Sequence, residues 1–169
     1  PQVVRVNRDA RSQYSEKFIF PKKCPSCGSE TLRGEGEAAR KCVAGLFCDA
    51  QAVERLRHFV SKNALDIEGL GEKQIRSFWE KGWIRNPADI FCLKRYRDEL
   101  EMLPGWGGKS IENLFEAIEN SRGTKFDRFI YGLGIPQVGQ QTAKLLAENY
   151  IDIEHWQICL LYTSDAADE

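Results

Sequence analysis

Several features are missing from this sequence, and each absence narrows what the chain can be. No apolar run approaches the ~20 residues that a membrane-spanning helix needs, so no membrane partner is expected. Histidine occurs only twice, at His58 and His155, with no spacing that would set up a nucleophile and its base. No lysine stands in a K-x-D-G nucleotidyl-transfer context, and there is no Walker loop. No catalytic residue is assigned on these grounds. A dominant charge is also lacking, since 24 Lys/Arg stand against 25 Asp/Glu for a net charge of -1. The chain is therefore not uniformly basic, but its charge is uneven. Residues 1–63 hold 12 basic and 7 acidic side chains, and residues 64–169 hold 12 and 18. The front is basic, the middle balanced and the end acidic.

The 169 residues suffice for one or two small domains, and 42% hydrophobic with 29% charged residues is ordinary globular composition. The start, Pro1-Gln2-Val3-Val4, has neither a charged segment nor a long apolar stretch, so no export signal is expected. It also lacks methionine, and the chain is expected to be a piece of a longer one. Six cysteines without an export signal favour metal binding in a reducing compartment over disulfides.

Four of the cysteines carry the strongest signal. Cys24, Cys27, Cys42 and Cys48 are spaced C-x2-C-x14-C-x5-C. Two close pairs separated by a loop suit one tetrahedral zinc ion. Four thiolates leave no open position for water or substrate, so the expected role is structural. Another thiolate-bound metal or cluster and a disulfide pair are the alternatives. Residues 21–49 hold little large apolar surface, and the metal must supply the missing stability. Lys22, Lys23, Arg40 and Lys41 flank the ligands and would offset the negative tetrathiolate charge or face phosphates. Cys92, between Phe91 and Leu93, reads as a small buried hydrophobe.

Ahead of the cysteines, Val3, Val4 and Val6 form one short β-rich run and Phe18-Ile19-Phe20 another. From Ala50 the period becomes helical. Val53, Leu56, Phe59 and Val60 share one face, and Leu65, Ile67, Leu70, Ile75, Phe78 and Trp79 continue the pattern. Asn86 and Pro87 read as a cap and first helical residue. Met102, Leu103, Ile111, Leu114 and Ile118 form a second apolar set. The third runs from Phe126, Phe129, Ile130 and Leu133 to Val138, Ala143, Leu145 and Leu146. Between these helices stand three short turns, Gly69-Leu70-Gly71, Gly105-Trp106-Gly107 and Gln137-Val138-Gly139, roughly 35 residues apart. The fold class that follows is mainly α, with a four-cysteine zinc knuckle, tandem helix-hairpin-helix motifs and a remnant of a β domain in front.

A glycine turn that opens a helix lets backbone N–H groups approach a phosphate closely, and the helix dipole adds to the attraction. A single such turn reads as an ordinary helix-terminating glycine. Three in series point to a grip on the nucleic-acid backbone, independent of base sequence. The candidate contacts are Gly69, Gly71, Lys73, Gly105, Gly107, Gly108, Lys109, Ser110, Gly134, Gly139 and Thr142. Trp106 is expected to plug the core, or else to touch a minor groove. His58 reads as a packing residue, and Trp79, Trp83 and Phe91 as core. From Ile151 the pattern breaks, and Cys159–Glu169 resembles translated adapter sequence.

Taken in order, these motifs resemble the C-terminal half of a bacterial NAD-dependent DNA ligase. The resemblance covers residues 1–150. It rests on the cysteine spacing, Gly45-Leu46-Phe47-Cys48, Arg57-His58-Phe59-Val60-Ser61, Asp66-Ile67-Glu68-Gly69-Leu70-Gly71 and Pro87-Ala88-Asp89-Ile90-Phe91. Gly105-Trp106-Gly107-Gly108-Lys109-Ser110 and Gly132-Leu133-Gly134-Ile135-Pro136-Gln137-Val138-Gly139 extend it. The resemblance implies the end of an OB-fold at 1–20, a zinc finger at 21–49, three helix-hairpin-helix motifs at 50–150 and a non-family tail at 151–169. The family's fourth hairpin, BRCT domain and adenylation domain would lie outside this sequence.

The family reaction transfers AMP from NAD to a lysine, then to the 5′-phosphate at a nick, before the 3′-hydroxyl displaces it with Mg²⁺. By that resemblance the partner is nicked double-stranded DNA. The bound ion of this stretch is zinc, and NAD and Mg²⁺ belong to the rest of the enzyme. The expected setting is the bacterial cytoplasm, associated with the nucleoid, as a monomer. This stretch alone would be inactive. The alternatives are a stand-alone zinc and hairpin adaptor of a repair complex, and an interaction module whose hairpins only pack helices.

Overall fold

A computed structural model describes residues 18–34, 36, 38–150, 152–154 and 156, with isolated positions between 5 and 16. The chain divides into two compact units, Pro1–Gly45 and Leu46–Glu169. Val3, Val4 and Val6 lie outside the described residues, as does Cys159–Glu169. Phe18, Ile19 and Phe20 are described and form no strand. All three are exposed, and the Phe18 and Phe20 rings meet edge to face at 4.9 Å. A β-rich run without a neighbouring strand to complete its ladder has no reason to stay extended.

The first unit is organised around a two-stranded antiparallel sheet, β1 (Thr31–Leu32) and β2 (Lys41–Cys42), in which Thr31 pairs with Cys42. Thr31 is buried and fully bonded: its hydroxyl donates to the Pro21 carbonyl (2.8 Å) and accepts from Arg40 Nε (2.9 Å). Arg40 Nη2 also donates to the Thr31 carbonyl. Arg40 thus stitches this sheet together from within.

The second unit is helical. A 3₁₀ turn, Gly45–Phe47, precedes α1 (Asp49–Val60), followed by α2 (Glu72–Glu80) and α3 (Pro87–Ile90). Another 3₁₀ turn (Leu93–Tyr96) leads to α4 (Arg97–Glu101), α5 (Gly108–Ser121), α6 (Phe126–Gly132) and α7 (Gln140–Asn149). α3 starts as its sequence dictates. Asn86 Oδ1 accepts the Ala88 and Asp89 N–H groups, Asp89 accepts the Asn86 N–H in return, and Pro87 occupies the first helical position.

Residues with no exposure, or almost none, form the main core, among them Leu56, Ile75, Phe78, Ile90, Leu100 and Ile111. Each such side chain contributes about 1.5–3 kcal/mol relative to exposure. Around Phe78 the aromatics stack into a block, with Trp83 at 5.2 Å and Trp106 at 5.8 Å between centroids. Trp106 is half-buried there, in the plug role. A second, smaller cluster joins Ile130, Ala143 and Trp156, with Trp156 edge-on to Phe126 at 6.2 Å.

Three side chains depart from their expected positions. Cys92 is exposed, because fully buried Ile90 and Leu93 with half-buried Phe91 take the inward side and leave Cys92 facing outward. Met102 is 82% exposed at the end of α4, where the chain leaves the helix after buried Leu100. Leu145 is exposed on α7, whose inward side is taken by Ala143 and half-buried Leu146.

Candidate metal centre and nucleic-acid interface

Cys24 and Cys27 sit in a tight turn. Gly28 N–H donates to the Cys24 carbonyl (2.9 Å), Cys24 N–H donates to Ser29 (2.7 Å), and Gly28 adopts φ 74° to close it. Cys42 lies on β2, and Cys48 is the residue before α1, only 1% exposed. The four sulfurs all lie within 4.8 Å of one another, with Cys27 and Cys42 Sγ 3.5 Å apart. Tetrahedral coordination with Zn–S bonds of about 2.3 Å places sulfurs roughly 3.8 Å apart. The cluster fits zinc with little adjustment, and its all-thiolate donor set is that of a closed structural site.

The protons of this cluster are shared unevenly. The Ser29 hydroxyl and N–H hold the Cys27 thiol down to about 6. The Ala44 N–H also favours the Cys42 thiolate, but burial and hydrogen bonds to Cys27 and Cys24 outweigh it and push Cys42 up to about 11.

The three hairpin turns share one backbone plan. Gly71, Gly107 and Gly139 are the residues before α2, α5 and α7, each in extended geometry (φ -73°, -108° and -84°). Two residues earlier stands a residue with positive φ: Gly69 (89°), Gly105 (86°) and Gln137 (67°). The third turn therefore follows the same path although glutamine replaces glycine. Its positive φ costs roughly 1 kcal/mol or more, which the turn sustains.

Gly69 and Gly105 are explained by their φ values. Gly107 and Gly139 are not, since extended backbone suits any residue. Nor does packing require them: a Cβ at Gly107, Gly108 or Gly139 would meet nothing within 4 Å, and one at Gly71 would meet only the flexible end of Gln74. The first N–H groups of each helix have no carbonyl of their own helix to bond.

The expected contacts divide accordingly. Lys73, Lys109 and Thr142 are exposed in the first turns of their helices. A cleft of about 400 Å³ brings hairpins one and two together, lined by Gly69, Lys73, Gly105, Trp106 and Ser110. Ser110 also acts locally: its hydroxyl accepts the Gly107 N–H (2.9 Å) and donates to the Gly107 carbonyl (2.7 Å). Gly134 sits elsewhere, past the end of α6 at φ 64°, where a Cβ would lie in ordinary contact with His58 at 3.4 Å.

Charge at the helix starts differs as well. α5 and α7 have no acid in the first turn, whereas α2 begins with Glu72, held by Arg57 (3.4 Å) and Arg76 (3.8 Å).

The sequence reading missed what holds hairpins one and three together. His58 on α1 donates Nε2–H to the Tyr131 carbonyl (2.7 Å), and Arg55 donates to the Leu133 carbonyl (3.3 Å). In return Arg128 on α6 donates Nε–H to the Ala64 carbonyl (2.7 Å), reaches the Lys62 carbonyl with Nη2, and lies 3.6 Å from Asp66. Each first helix caps the loop of the other. Gly132 permits the crossing: a Cβ there would stand 3.0 Å from Leu65 Cδ1.

A four-sulfur cluster followed in the chain by repeated helix-hairpin-helix turns defines the class, a zinc-finger and helix-hairpin-helix protein. Residues 23–50 match the NAD-dependent DNA ligase C4 zinc finger domain, and residues 128–158 match the helix-hairpin-helix motif. The chain is 53% identical over 163 residues to the DNA ligase of Rhodospirillum rubrum, covering 93% of this chain and 23% of that protein. It is 48% identical to the DNA ligases of Paramagnetospirillum magneticum and Rhodopseudomonas palustris, covering 99% and 100% of this chain and 24% of each relative. The chain belongs to the DNA ligase family and spans about a quarter of the length of these relatives.

Proposed function

We propose that this chain is the zinc-finger and hairpin portion of an NAD-dependent DNA ligase that seals nicks, and that it grips duplex DNA by its phosphates. The observation that carries the reading is the glycine at 71, 107 and 139. Neither φ nor packing within the chain calls for glycine there, so the requirement comes from something approaching from outside. A phosphate oxygen seated on the first N–H groups of a helix needs that space. Gly71, Gly107, Gly108 and Gly139 would make the closest approaches, with Lys73, Lys109 and Thr142 beside them. Gly69 and Gly105 shape the turns, Ser110 steadies the second, and Gly134 supports the third from behind. Such contacts position a duplex without reading bases.

Zinc, bound by Cys24, Cys27, Cys42 and Cys48, would supply folding stability to the finger and no chemistry. The adenylate from NAD and the Mg²⁺ of the sealing step belong to the remainder of the enzyme, and no residue of this chain is assigned to them. Alone, this chain should bind nicked duplex as a monomer but not ligate it. Its setting would be the bacterial cytoplasm, on the nucleoid. Among the described residues no helix is long and apolar enough to cross a membrane.

The test is fluorescence anisotropy with nicked duplexes of unrelated sequence across a salt series. Similar affinity for each, falling steeply with salt, is expected. Indifference to DNA at low salt would sink the reading.

A further inference from the structure

A slot of about 310 Å³ lies between α1, the start of α3 and the loop after α6. None of the residues expected at phosphate lines it. Its walls are mainly apolar, from Ala52, Leu56, Pro87, Leu133 and Ile135, and Leu46 stands at its edge, 54% exposed. The next residue, Phe47, is 94% exposed. Two guanidinium groups also line the slot, Arg55 and Arg85. Each is held in place by a neutral group: Arg55 by the Leu133 carbonyl at 3.3 Å, Arg85 by the Trp79 ring at 4.6 Å. Among the described residues neither has a carboxylate within ion-pair distance, whereas Arg57, Arg76, Arg97, Arg122 and Arg128 all do.

We propose that this slot docks an acidic peptide segment of a partner protein, inserting one bulky apolar side chain between Arg55 and Arg85. Complementarity decides the class of occupant. The volume is at the low end of ligand pockets, roughly 300–1,000 Å³, and suits a side chain better than a cofactor. The apolar walls gain from a leucine or phenylalanine and offer nothing to a hydrated phosphodiester. The two oriented guanidinium groups favour carboxylates flanking that side chain and steer the encounter. Because none of the residues at the starts of α2, α5 and α7 lines the site, its occupancy is independent of the DNA-gripping reading.

The test uses the zinc-loaded 169-residue chain with labelled methyl groups. The probe is an acetylated peptide bearing one phenylalanine between glutamates, and the control replaces the glutamates by lysines. The acidic peptide should shift the methyl signals of Leu56, Leu133 and Ile135 saturably. Arg85→Glu should weaken it at least ~10-fold and reverse the preference toward the lysine peptide. Arg85 is exposed, so Arg85→Glu should fold; Leu133→Ala, which trims the wall without altering charge, should also weaken binding. No shift at these methyls, or equal binding of both peptides, overturns the proposal. So does a duplex that shifts them where the acidic peptide does not, which would make the arginines a phosphate surface.

Discussion

Cys42 illustrates how much one side chain can carry in a unit with so little apolar interior. It supplies a sulfur to the four-cysteine cluster and pairs through its backbone with Thr31. Cys42→Ser removes a thiolate ligand, and structural zinc sites contribute on the order of 10 kcal/mol to folding. The expected outcome is loss of bound zinc and of the finger's structure, with the helical unit's circular dichroism retained. Stoichiometric zinc in the purified variant would refute the four-ligand assignment. Gly107 carries a different burden. Its extended φ and empty surroundings mean that Gly107→Val should leave zinc content and melting temperature nearly unchanged. Affinity for nicked duplex should drop ~10-fold or more, because the valine side chain occupies the path of the phosphate. An unaltered affinity would remove the second hairpin from the interface.

Among elements, the three helices proposed to face phosphate should not contribute equally. A carboxylate at a helix start competes with a bound anion, and only α2 has one, Glu72. Its ion pairs with Arg57 and Arg76 are exposed and offset little. Glu72→Gln should therefore tighten DNA binding ~2–5-fold at low ionic strength, from a dipole effect of about 0.3–1 kcal/mol. The gain should fade as salt rises, and a titration series would show a weakening if Glu72 instead organises the turn. The α1–α6 crossing is likewise sensitive. Gly→Ala in a helix normally stabilises by up to about 1 kcal/mol. At Gly132 the new methyl would crowd Leu65 and Ala64, so Gly132→Ala should gain nothing, and Gly132→Val should cost about 1–3 kcal/mol by thermal or urea unfolding.

Across the whole molecule, the legible parts were those where chemistry alone fixes the answer. Cysteine spacing announces a tetrahedral centre, and Asn86-Pro87 announces a helix start. Turns between apolar helices announce hairpins, even where Gln137 hides the repeat by taking a glycine's conformation. Illegible were features set by neighbours distant in sequence. Nothing around Cys92 indicates that Ile90 and Leu93 take the interior between them. Nothing near Gly134 distinguishes a turn glycine from one in contact with His58. Arg128 reads as surface charge until Lys62 and Ala64 come within its reach. Removing it should therefore cost more than a surface arginine does. Arg128→Met leaves these carbonyls without their donor and should lower stability by about 1–3 kcal/mol, measurable as a reduced melting temperature.

The reciprocal capping of hairpins one and three also bears on which lengths can change. Each hairpin is gripped at fixed carbonyls, Lys62 and Ala64 in the loop after α1, Tyr131 and Leu133 at the end of α6. A single residue inserted into either segment would slide those carbonyls away from the side chains that hold them. Both turns would then lose their register, including the one whose own sequence is intact. Insertions and deletions should be purged from residues 61–66 and 131–134 and better tolerated in the exposed link at residues 122–123, whose carbonyls accept none of these four bonds.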